Sequence, residues 1–218
     1  MTIQVLPDSI RNLPPEKLAE LTHLYKARHR FDYFCERVMK TKAGNLWQMP
    51  AFHREWTKLP SKYLMLQIEA FRESAKTSLF SVAYLLWRIG NDTDIRIKIV
   101  TSDDDLGVDI LDEIKENIKI NEEYQRVFSK VIKGHKWSGH KIIVGRTATM
   151  KDPTIEAAGV LSTGTGGRCD LLLFDDVCDL RNSIANPSLR SVVKEAVEKV
   201  WLNLLVPGGQ AMWLDTPW

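Results

Sequence analysis

The sequence contains no long apolar run. None of its segments approaches the roughly 18 consecutive apolar residues of a membrane-spanning helix. The first residues, MTIQVLPDSIRNLPPEK, also lack the apolar core of a secretory signal peptide. No internal repeat and no low-complexity segment is present, which argues against a repeat protein. We therefore expect a soluble, intracellular protein.

Cysteine is scarce, and its spacing excludes the usual cysteine-based sites. Cys35, Cys169 and Cys178 form no CxxC pair, so neither a disulfide framework nor a zinc knuckle is indicated. A mixed metal site of His135, His140, Cys169 and Cys178 is conceivable. Buried thiols and loop histidines are the simpler interpretation of the same residues.

The size and charge of the chain permit an enzyme but do not define one. With 218 residues, 44% of them hydrophobic, the chain can form one sizeable core and a small appendage. Its net charge of +2 is unevenly divided, because residues 1–62 carry 11 Lys/Arg and 6 Asp/Glu. Such a basic part could face a polyanion, although a solvated helix surface explains the bias equally well.

The apolar pattern alternates between strands and helices. Two helices are predicted near the N-terminus, in PPEKLAELTHLYKARHRFDYFCERVMK. From residue 63 the segments YLMLQIEA, IRIKIVT and DLLLFDD are typical of strands, whereas KTSLFSVAYLLWRIG and DDDLGVDILDEIKENIKIN are typical of helices. Short strands (KVIKG, HKIIVG, TIEAAG), a helix (NPSLRSVVKEAVEKVWLNLLV) and a last strand (GGQAMWLDTPW) complete the pattern. This alternation predicts an α/β fold with a mostly parallel sheet covered by helices on both faces.

The segment QIEAFRESAKTSLF, Gln67 to Phe80, resembles a phosphate-binding loop that lacks its glycines. The pattern GxxxxGK[ST] would place glycines where this chain has Ala70 and Ala75. Alanine can be tolerated if the backbone stays out of the glycine-only region. Lys76 would then contact the β- and γ-phosphates, and the Thr77 hydroxyl would bind magnesium. Alternatively, Lys76 is a solvated lysine in the first turn of a helix and Thr77 is a cap.

A second motif, LLLFDD, is acidic. Its first aspartate, Asp175, lies 99 residues after Lys76. We predict that Asp175 holds magnesium through its water shell, and that Asp176 orients or deprotonates the attacking water. The alternative is that both acids cap the loop after the strand. The order of the two motifs in the chain, loop first and carboxylates second, favours the nucleotide site.

Two arginines are further candidates. Arg168 ends the glycine-rich segment STGTGGR and could stabilise transition-state charge, in its own site or in that of a neighbouring subunit. It is equally consistent with a surface arginine in a loop. Arg72, inside the phosphate-binding segment, could contact phosphate or hold the loop through a salt bridge.

These motifs together resemble the ATPase domain of the large terminase subunit of tailed bacteriophages, the motor that drives DNA into an empty capsid. The resemblance rests on FHREW, FRESAKTSL, LLWRIG, GTGGRCDLLLFDDVCD and LDTPW, over roughly residues 50–218. Residues 1–49 match only loosely and are predicted to be a helical appendage. The resemblance implies a RecA-like P-loop NTPase fold of the ASCE class for residues 50–218.

The resemblance also implies roles for single residues. The phosphate loop would comprise Ala70, Phe71, Arg72, Glu73, Ser74, Ala75, Lys76, Thr77 and Ser78. Asp175 would be the magnesium-holding acid, and Thr216 would lie in the segment that couples hydrolysis to movement. Adenine would contact either Trp47 and Gln48 or Phe52 and His53. The family often has Glu where this chain has Asp176, whose shorter side chain would sit roughly 1.5 Å farther from the attacking water.

The implied substrate and cofactor are ATP and Mg²⁺. The implied partners are double-stranded DNA, a portal protein, a small terminase subunit and further copies of this chain in a ring on the portal, with a monomer when alone. The implied location is the cytoplasm of an infected bacterium. A nuclease domain usually follows in the family, and its acidic cluster is not found here, so we expect no DNA cleavage by this chain. A helicase- or recombination-type ATPase, and a nucleotide-binding module with little hydrolysis, are the alternatives.

Overall fold

The computed structural model describes residues 13–162, 166–178 and 185–217. Seven strands form one sheet: β1 (Met65–Glu69), β2 (Ile97–Thr101), β3 (Lys133–Trp137), β4 (Lys141–Val144), β5 (Ile155–Gly159), β6 (Cys169–Asp175) and β7 (Leu205–Asp215). Their order across the sheet is β1-β7-β6-β2-β5-β4-β3. The first five in this order run parallel. β4 is antiparallel to its neighbour β5, and β3 is antiparallel to β4. The carboxyl ends of the five parallel strands therefore share one edge, where such sheets bind ligands.

Seven helices accompany the sheet within the described residues. They are α1 (Pro15–His29), α2 (Phe31–Arg37), α3 (Ala51–Trp56), α4, α5 (Asp104–Ile120), α6 (Glu122–Val127) and α7 (Pro187–Ala196). We use α4 for a continuous helix that is π-type over Thr77–Tyr84 and α-type over Leu85–Asn91. After α7 the chain continues as a π-type segment (Val197–Trp201) and a 3₁₀ turn (Leu202–Leu204).

Helices cover both faces of the sheet, as the sequence predicts. Alternate residues of β6 point to opposite faces, because the side-chain period of a strand is two. Leu171 and Leu173 belong to a hydrophobic cluster that includes residues of α4 and α5. Leu172 and Phe174 belong to a second cluster, with Val193 of α7. Burial on both faces explains the unbroken apolar run of Leu171–Phe174 within β6.

Local signals account for the start of α5. Asp103 precedes the helix, and its carboxylate accepts a hydrogen bond from the backbone N–H of Leu106 at 3.0 Å. Asp104 and Asp105 lie in the first turn, where negative charge is favourable. The helix therefore begins where the run of aspartates predicts.

The N-terminal helices pack onto the main core. Ala27, Phe31 and Phe34 are buried in the same cluster as the sheet residues facing α4 and α5. The indole N–H of Trp87, in α4, donates to the backbone carbonyl of Ala27 at 3.1 Å. Residues on both sides of the predicted boundary after residue 49 therefore belong to the same hydrophobic cluster.

One predicted strand is displaced. The segment KVIKG, residues 130–134, was expected to be a strand, but β3 begins only at Lys133. Val131 ends a turn in which its backbone N–H donates to Phe128 O. Its side chain is buried in the hydrophobic core, although the residue is not part of a strand. Of the predicted glycine-rich loop, Thr163, Gly164 and Thr165 lie outside the described residues, as do residues 1–12, 179–184 and Trp218. No helix among the described residues is long and apolar enough to cross a lipid bilayer.

Candidate active site

A cleft of about 450 Å³ opens at the carboxyl edge of the sheet, next to the loop between β1 and α4. It is lined by Arg72, Glu73, Ser74, Ala75, Lys76, Thr77, Ser102, Asp176, Cys178 and Thr216. The loop is held at both sides. The Ala70 N–H donates to the carbonyl of Asp215 at the end of β7 (3.0 Å), and the buried His53 imidazole donates from Nε2 to the Ser74 carbonyl (2.7 Å).

The loop adopts backbone conformations that usually require glycine. Glu73 has φ of 64° and Ala75 has φ of 59°, both in the left-handed region. A non-glycine residue there is strained by roughly 1–2 kcal/mol. Ala75 therefore occupies the position of the second missing glycine at a conformational cost. Ala75 is exposed and its side chain is small, so the loop backbone stays accessible from the cleft.

Lys76 is buried beneath this loop, with 6% of its surface exposed. Its ammonium donates to the Thr216 hydroxyl at 2.5 Å, and lies 3.2 Å from one carboxylate oxygen of Asp176 and 3.3 Å from the other. The Thr216 hydroxyl in turn donates to Asp176 at 3.0 Å. The interpretation of Lys76 as a solvated helix-surface lysine is therefore wrong, because residues from three separate segments enclose its charge.

Asp175 is the second buried charge of the site. It is 1% exposed and accepts hydrogen bonds from Thr77 Oγ1 at 3.2 Å and from Ser81 Oγ at 2.5 Å. Burial, and next the charge of Asp176, raise the pKa of the Asp175 carboxyl to about 6. Its partners are hydroxyls of α4, so it does not serve as a backbone cap for the loop after β6. A cation would offset the cost of burying this carboxylate.

Thr77 and Asp175 offer the ligand chemistry that magnesium prefers. Both present hard oxygen atoms, and magnesium sites in proteins commonly use only one or two such groups together with substrate phosphates. Among the described residues no group of three or more His, Cys, Asp or Glu side chains could hold a metal by itself. The donor set therefore fits a metal that arrives with a phosphate ligand better than a protein-only metal centre.

Asp176 differs from Asp175 in its exposure. Its side chain is 37% exposed and lines the cleft, so water can reach the carboxylate. Its φ of 45° is left-handed, and its backbone N–H donates to the Leu214 carbonyl of β7 at 3.0 Å. The strand end therefore turns sharply between the two acids, which gives one a buried and the other a water-accessible position.

Three contributors to the site were missed from the sequence. Ser81 follows Thr77 by four residues, a spacing that places side chains on one helical face and could have indicated it. Ser102 directly follows β2, whose Thr101 is in register with Asp175, so parallel pairing brings Ser102 to the same edge. Cys178 also lines the cleft, and no sequence pattern indicated it.

Several predicted residues lie away from the cleft. Trp47 and Gln48 line a separate cleft of about 1100 Å³. Phe52 is 40% exposed and stacks edge-on with His53, whose imidazole supports the loop. Ala70, Phe71 and Ser78 flank the loop without lining the cleft described here. The choice between the two predicted adenine-binding pairs stays a prediction.

Arg168 is not brought to its own cleft. It precedes β6, whereas Asp175 ends that strand, so about 20 Å of extended chain separates them. Its guanidinium donates to the Asn203 carbonyl at 2.6 Å, and its backbone N–H donates to Asp152 at 3.2 Å. A catalytic role within its own cleft is therefore inconsistent with this geometry, and the choice between a role in a neighbouring subunit and a surface arginine in a loop stays a prediction.

Comparison with known proteins supports the fold. No protein-family model and no curated protein matches the sequence. The structure is similar to the crystal structure of the HK97 bacteriophage large terminase, with a TM-score of 0.58 and 14% sequence identity. The similarity covers 86% of this chain and 37% of the HK97 chain. At this identity the comparison establishes a shared architecture: the chain has a terminase-like α/β fold with a seven-stranded, mostly parallel sheet.

Proposed function

We propose that this chain is the ATP-hydrolysing domain of a terminase-type motor that moves double-stranded DNA into a procapsid. The observation that carries the proposal is the enclosed Lys76 ammonium, which contacts Thr216 and Asp176 at the cleft between the loop and the end of β6. The terminase-like fold supports the choice of motor. The strand β7 lies between β1 and β6, so the ends of these three strands meet at the cleft.

The loop residues would bind the triphosphate. Backbone N–H groups around Ala75 and the Lys76 ammonium attract phosphate oxygens, and α4 begins at Thr77 with its positive end toward the cleft. Arg72, which is exposed and lines the cleft, would add a second cation. Thr77 and Asp175 would hold Mg²⁺, which when bound neutralises charge on the β- and γ-phosphates.

Asp176 would be the general base. As water attacks the γ-phosphorus, a new P–O bond forms, the bond to the β–γ bridging oxygen breaks, and the proton of water passes to the Asp176 carboxylate. The water-accessible position of Asp176 suits this role better than the buried position of Asp175. Inorganic phosphate and ADP are the products.

Thr216 would link the reaction to movement. Its hydroxyl contacts both Lys76 and Asp176, and it directly follows β7. A γ-phosphate that draws the Lys76 ammonium toward itself would remove the hydrogen bond from Lys76 to Thr216 and weaken the ion pair between Lys76 and Asp176. Occupancy of the site would thus be communicated to the segment after β7. Double-stranded DNA, a portal protein, a small subunit and a ring of further copies are the partners this proposal requires.

The test is magnesium-dependent release of phosphate from ATP by the purified chain, with and without duplex DNA. We expect Lys76→Ala and Asp175→Ala to lower the rate by about 100-fold or more, because each removes a charge that acts directly on the phosphates or their metal. Lys62→Ala, at an exposed lysine outside the cleft, is the matched control and should retain the wild-type rate.

Wild-type activity in either cleft variant would overturn the proposal. Tight ATP binding by calorimetry, with no phosphate release even with DNA present, would indicate a nucleotide-binding module instead. ATP-dependent strand separation in an unwinding assay would indicate a helicase-type enzyme.

A further inference from the structure

A long part of the sequence carries positive charge and no negative charge. Between Tyr124 and Lys151 there is no Asp or Glu, whereas six Lys/Arg and two His occur. The chain as a whole is nearly balanced, with 30 Lys/Arg and 28 Asp/Glu. This acid-free stretch is therefore the most one-sided feature of its charge pattern, and the phosphate-binding cleft does not use it.

The structure places this stretch at an edge of the sheet. β3 and β4 form an antiparallel hairpin, closed by a tight turn in which the Ser138 N–H donates to the Lys141 carbonyl at 2.9 Å. β3 is the outermost strand. Lys130, Lys133 and Lys136 are exposed, and no ion pair involves them among the described residues.

Three other cations of the stretch are already engaged, and the first of them, Arg126, pairs with Glu123 at 3.3 Å. Lys141 pairs with Glu156 at 2.6 Å, and the Arg146 guanidinium donates to the Asp152 carbonyl at 2.5 Å. They stabilise the sheet edge from within. The charge available for a partner is therefore concentrated at Lys130, Lys133 and Lys136.

A cation from another element joins this group. The ammonium groups of Lys133 and of Lys119, in α5, each lie 5.9 Å from the centre of the Trp137 ring. Trp137 is only partly buried and packs against the core, so its position is fixed. Both ammonium groups therefore lie within cation–π distance of the same ring. We call Lys119, Lys130, Lys133 and Lys136 the basic edge.

We propose that the basic edge binds the phosphate backbone of duplex DNA. A partner must supply many negative charges along an exposed strand, and duplex DNA supplies one per roughly 1.7 Å of its axis. The hairpin cannot enter the major groove as a free ribbon, because β4 is also paired with β5. Contacts are thus limited to phosphates and are independent of base sequence, which is what a translocating motor requires. The use of this contact in DNA translocation rests on the proposed function, whereas the binding of DNA to the basic edge does not.

The basic edge is remote from the cleft. The nearest strand whose end lines the cleft is β2, which Ser102 follows, and β2 lies three strand spacings from β3, which is about 14 Å. Substitutions at the basic edge can therefore be examined without disturbing the nucleotide site.

The test compares Lys133→Glu/Lys136→Glu with wild type in binding to a 30-base-pair duplex, by fluorescence anisotropy over a range of salt concentrations. We expect binding at least about tenfold weaker, and a salt slope reduced by about 2, since each lost phosphate contact removes roughly 0.9. Two unrelated duplex sequences should give equal affinities. Glutamate keeps the edge strand charged, so the protection that charge gives against strand-to-strand aggregation is retained.

Lys194→Glu/Lys199→Glu, on the exposed side of α7 and the π-type segment after it, makes the same change in net charge and should bind DNA like wild type. Equal DNA affinity of the basic-edge variant and wild type would overturn the inference. So would competition by polyglutamate as strong as that by DNA at equal charge, which would indicate an acidic protein partner. ATP hydrolysis without DNA should be unchanged in both variants. If wild type binds DNA through these lysines but hydrolyses no ATP, the proposed function fails while the basic edge stands.

Discussion

Ala75 illustrates how a loop without glycine can adopt a glycine-like backbone conformation at the cost of strain. Its φ of 59° is left-handed, where the methyl group is unfavourable. We expect Ala75→Gly to stabilise the protein by about 0.5–1 kcal/mol, because relief of strain exceeds the entropy that glycine adds to the unfolded chain. Urea unfolding of the nucleotide-free protein measures this change.

Ala43→Gly is the control for that measurement. Ala43 is exposed in a turn and is not among the residues with positive φ. Glycine there should destabilise the protein by about 0.5 kcal/mol, since only the unfolded-state entropy changes. Equal destabilisation by both substitutions would show that Ala75 is not strained.

Among single residues, those of the site that belong to a motif within one segment could be predicted from the sequence. Lys76 and Thr77 follow a strand, and Asp175 and Asp176 end one, so each belongs to a motif. Ser81 and Ser102 join the site only through helix spacing and strand register, which a single segment does not reveal. For Arg168 the sequence leaves open a role in its own site or in that of a neighbouring subunit, because its distance from the cleft depends on the length of β6.

At the scale of elements, the pattern of apolar residues predicted which segments are helices and strands. It did not predict the hydrogen-bonding type of a helix. The apolar run LLLF correctly indicated β6, and the alternating pattern of IRIKIVT correctly indicated β2, although the structure buries β2 on both faces. The segment KTSLFSVAYLLWRIG was correctly predicted as helical. Its π-type hydrogen bonding over Thr77–Tyr84 was not, because apolar spacing does not distinguish this widening from an ordinary helix.

A buried ion cluster joins three strands of the sheet. Glu156 of β5 pairs with Lys98 of β2 at 2.5 Å and with Lys141 of β4 at 2.6 Å. Burial raises the pKa of Glu156, but the hydrogen bonds and charges of the two lysines outweigh it and hold the pKa below its ordinary value. The ionised form is thus favoured by folding, so the resulting stability is present above about pH 4.5 and is lost as pH falls through the lowered pKa.

We expect Glu156→Gln to destabilise the protein by about 3–5 kcal/mol at pH 7, because Lys98 would keep a buried charge without its carboxylate. The difference from wild type should shrink as pH falls below about 4.5 and through the lowered pKa of Glu156, because the carboxyl group then becomes protonated in both states. Urea unfolding at several pH values tests this. Glu195→Gln, in an exposed pair with Lys199, should change stability by less than about 1 kcal/mol. A constant difference at all pH values would contradict the role assigned to the Glu156 charge.

At the scale of the whole molecule, the sheet separates the regions assigned to its three tasks. The nucleotide cleft lies at the carboxyl edge near β1, β7 and β6, the basic edge lies at β3, and Arg168 lies at the opposite end of β6 from the cleft. A residue at the amino end of a central strand cannot reach the carboxyl end of the same strand. In a ring, however, it can face the cleft of the next copy.

Arg168 should therefore act only between subunits. We expect Arg168→Ala to leave the slow hydrolysis of the dilute chain unchanged, and to lower the rate at least about tenfold where assemblies form, because an arginine supplied in trans stabilises transition-state charge. An equal mixture of Arg168→Ala and Lys76→Ala chains should recover activity. About a quarter of the interfaces in randomly mixed rings then combine an intact cleft with an intact arginine. A mixture of Lys76→Ala and Asp175→Ala chains is the control. Both substitutions damage the cleft itself, so no interface in that mixture is complete. Absence of recovery in the first mixture, at concentrations where light scattering shows assembly, would exclude Arg168 from the reaction.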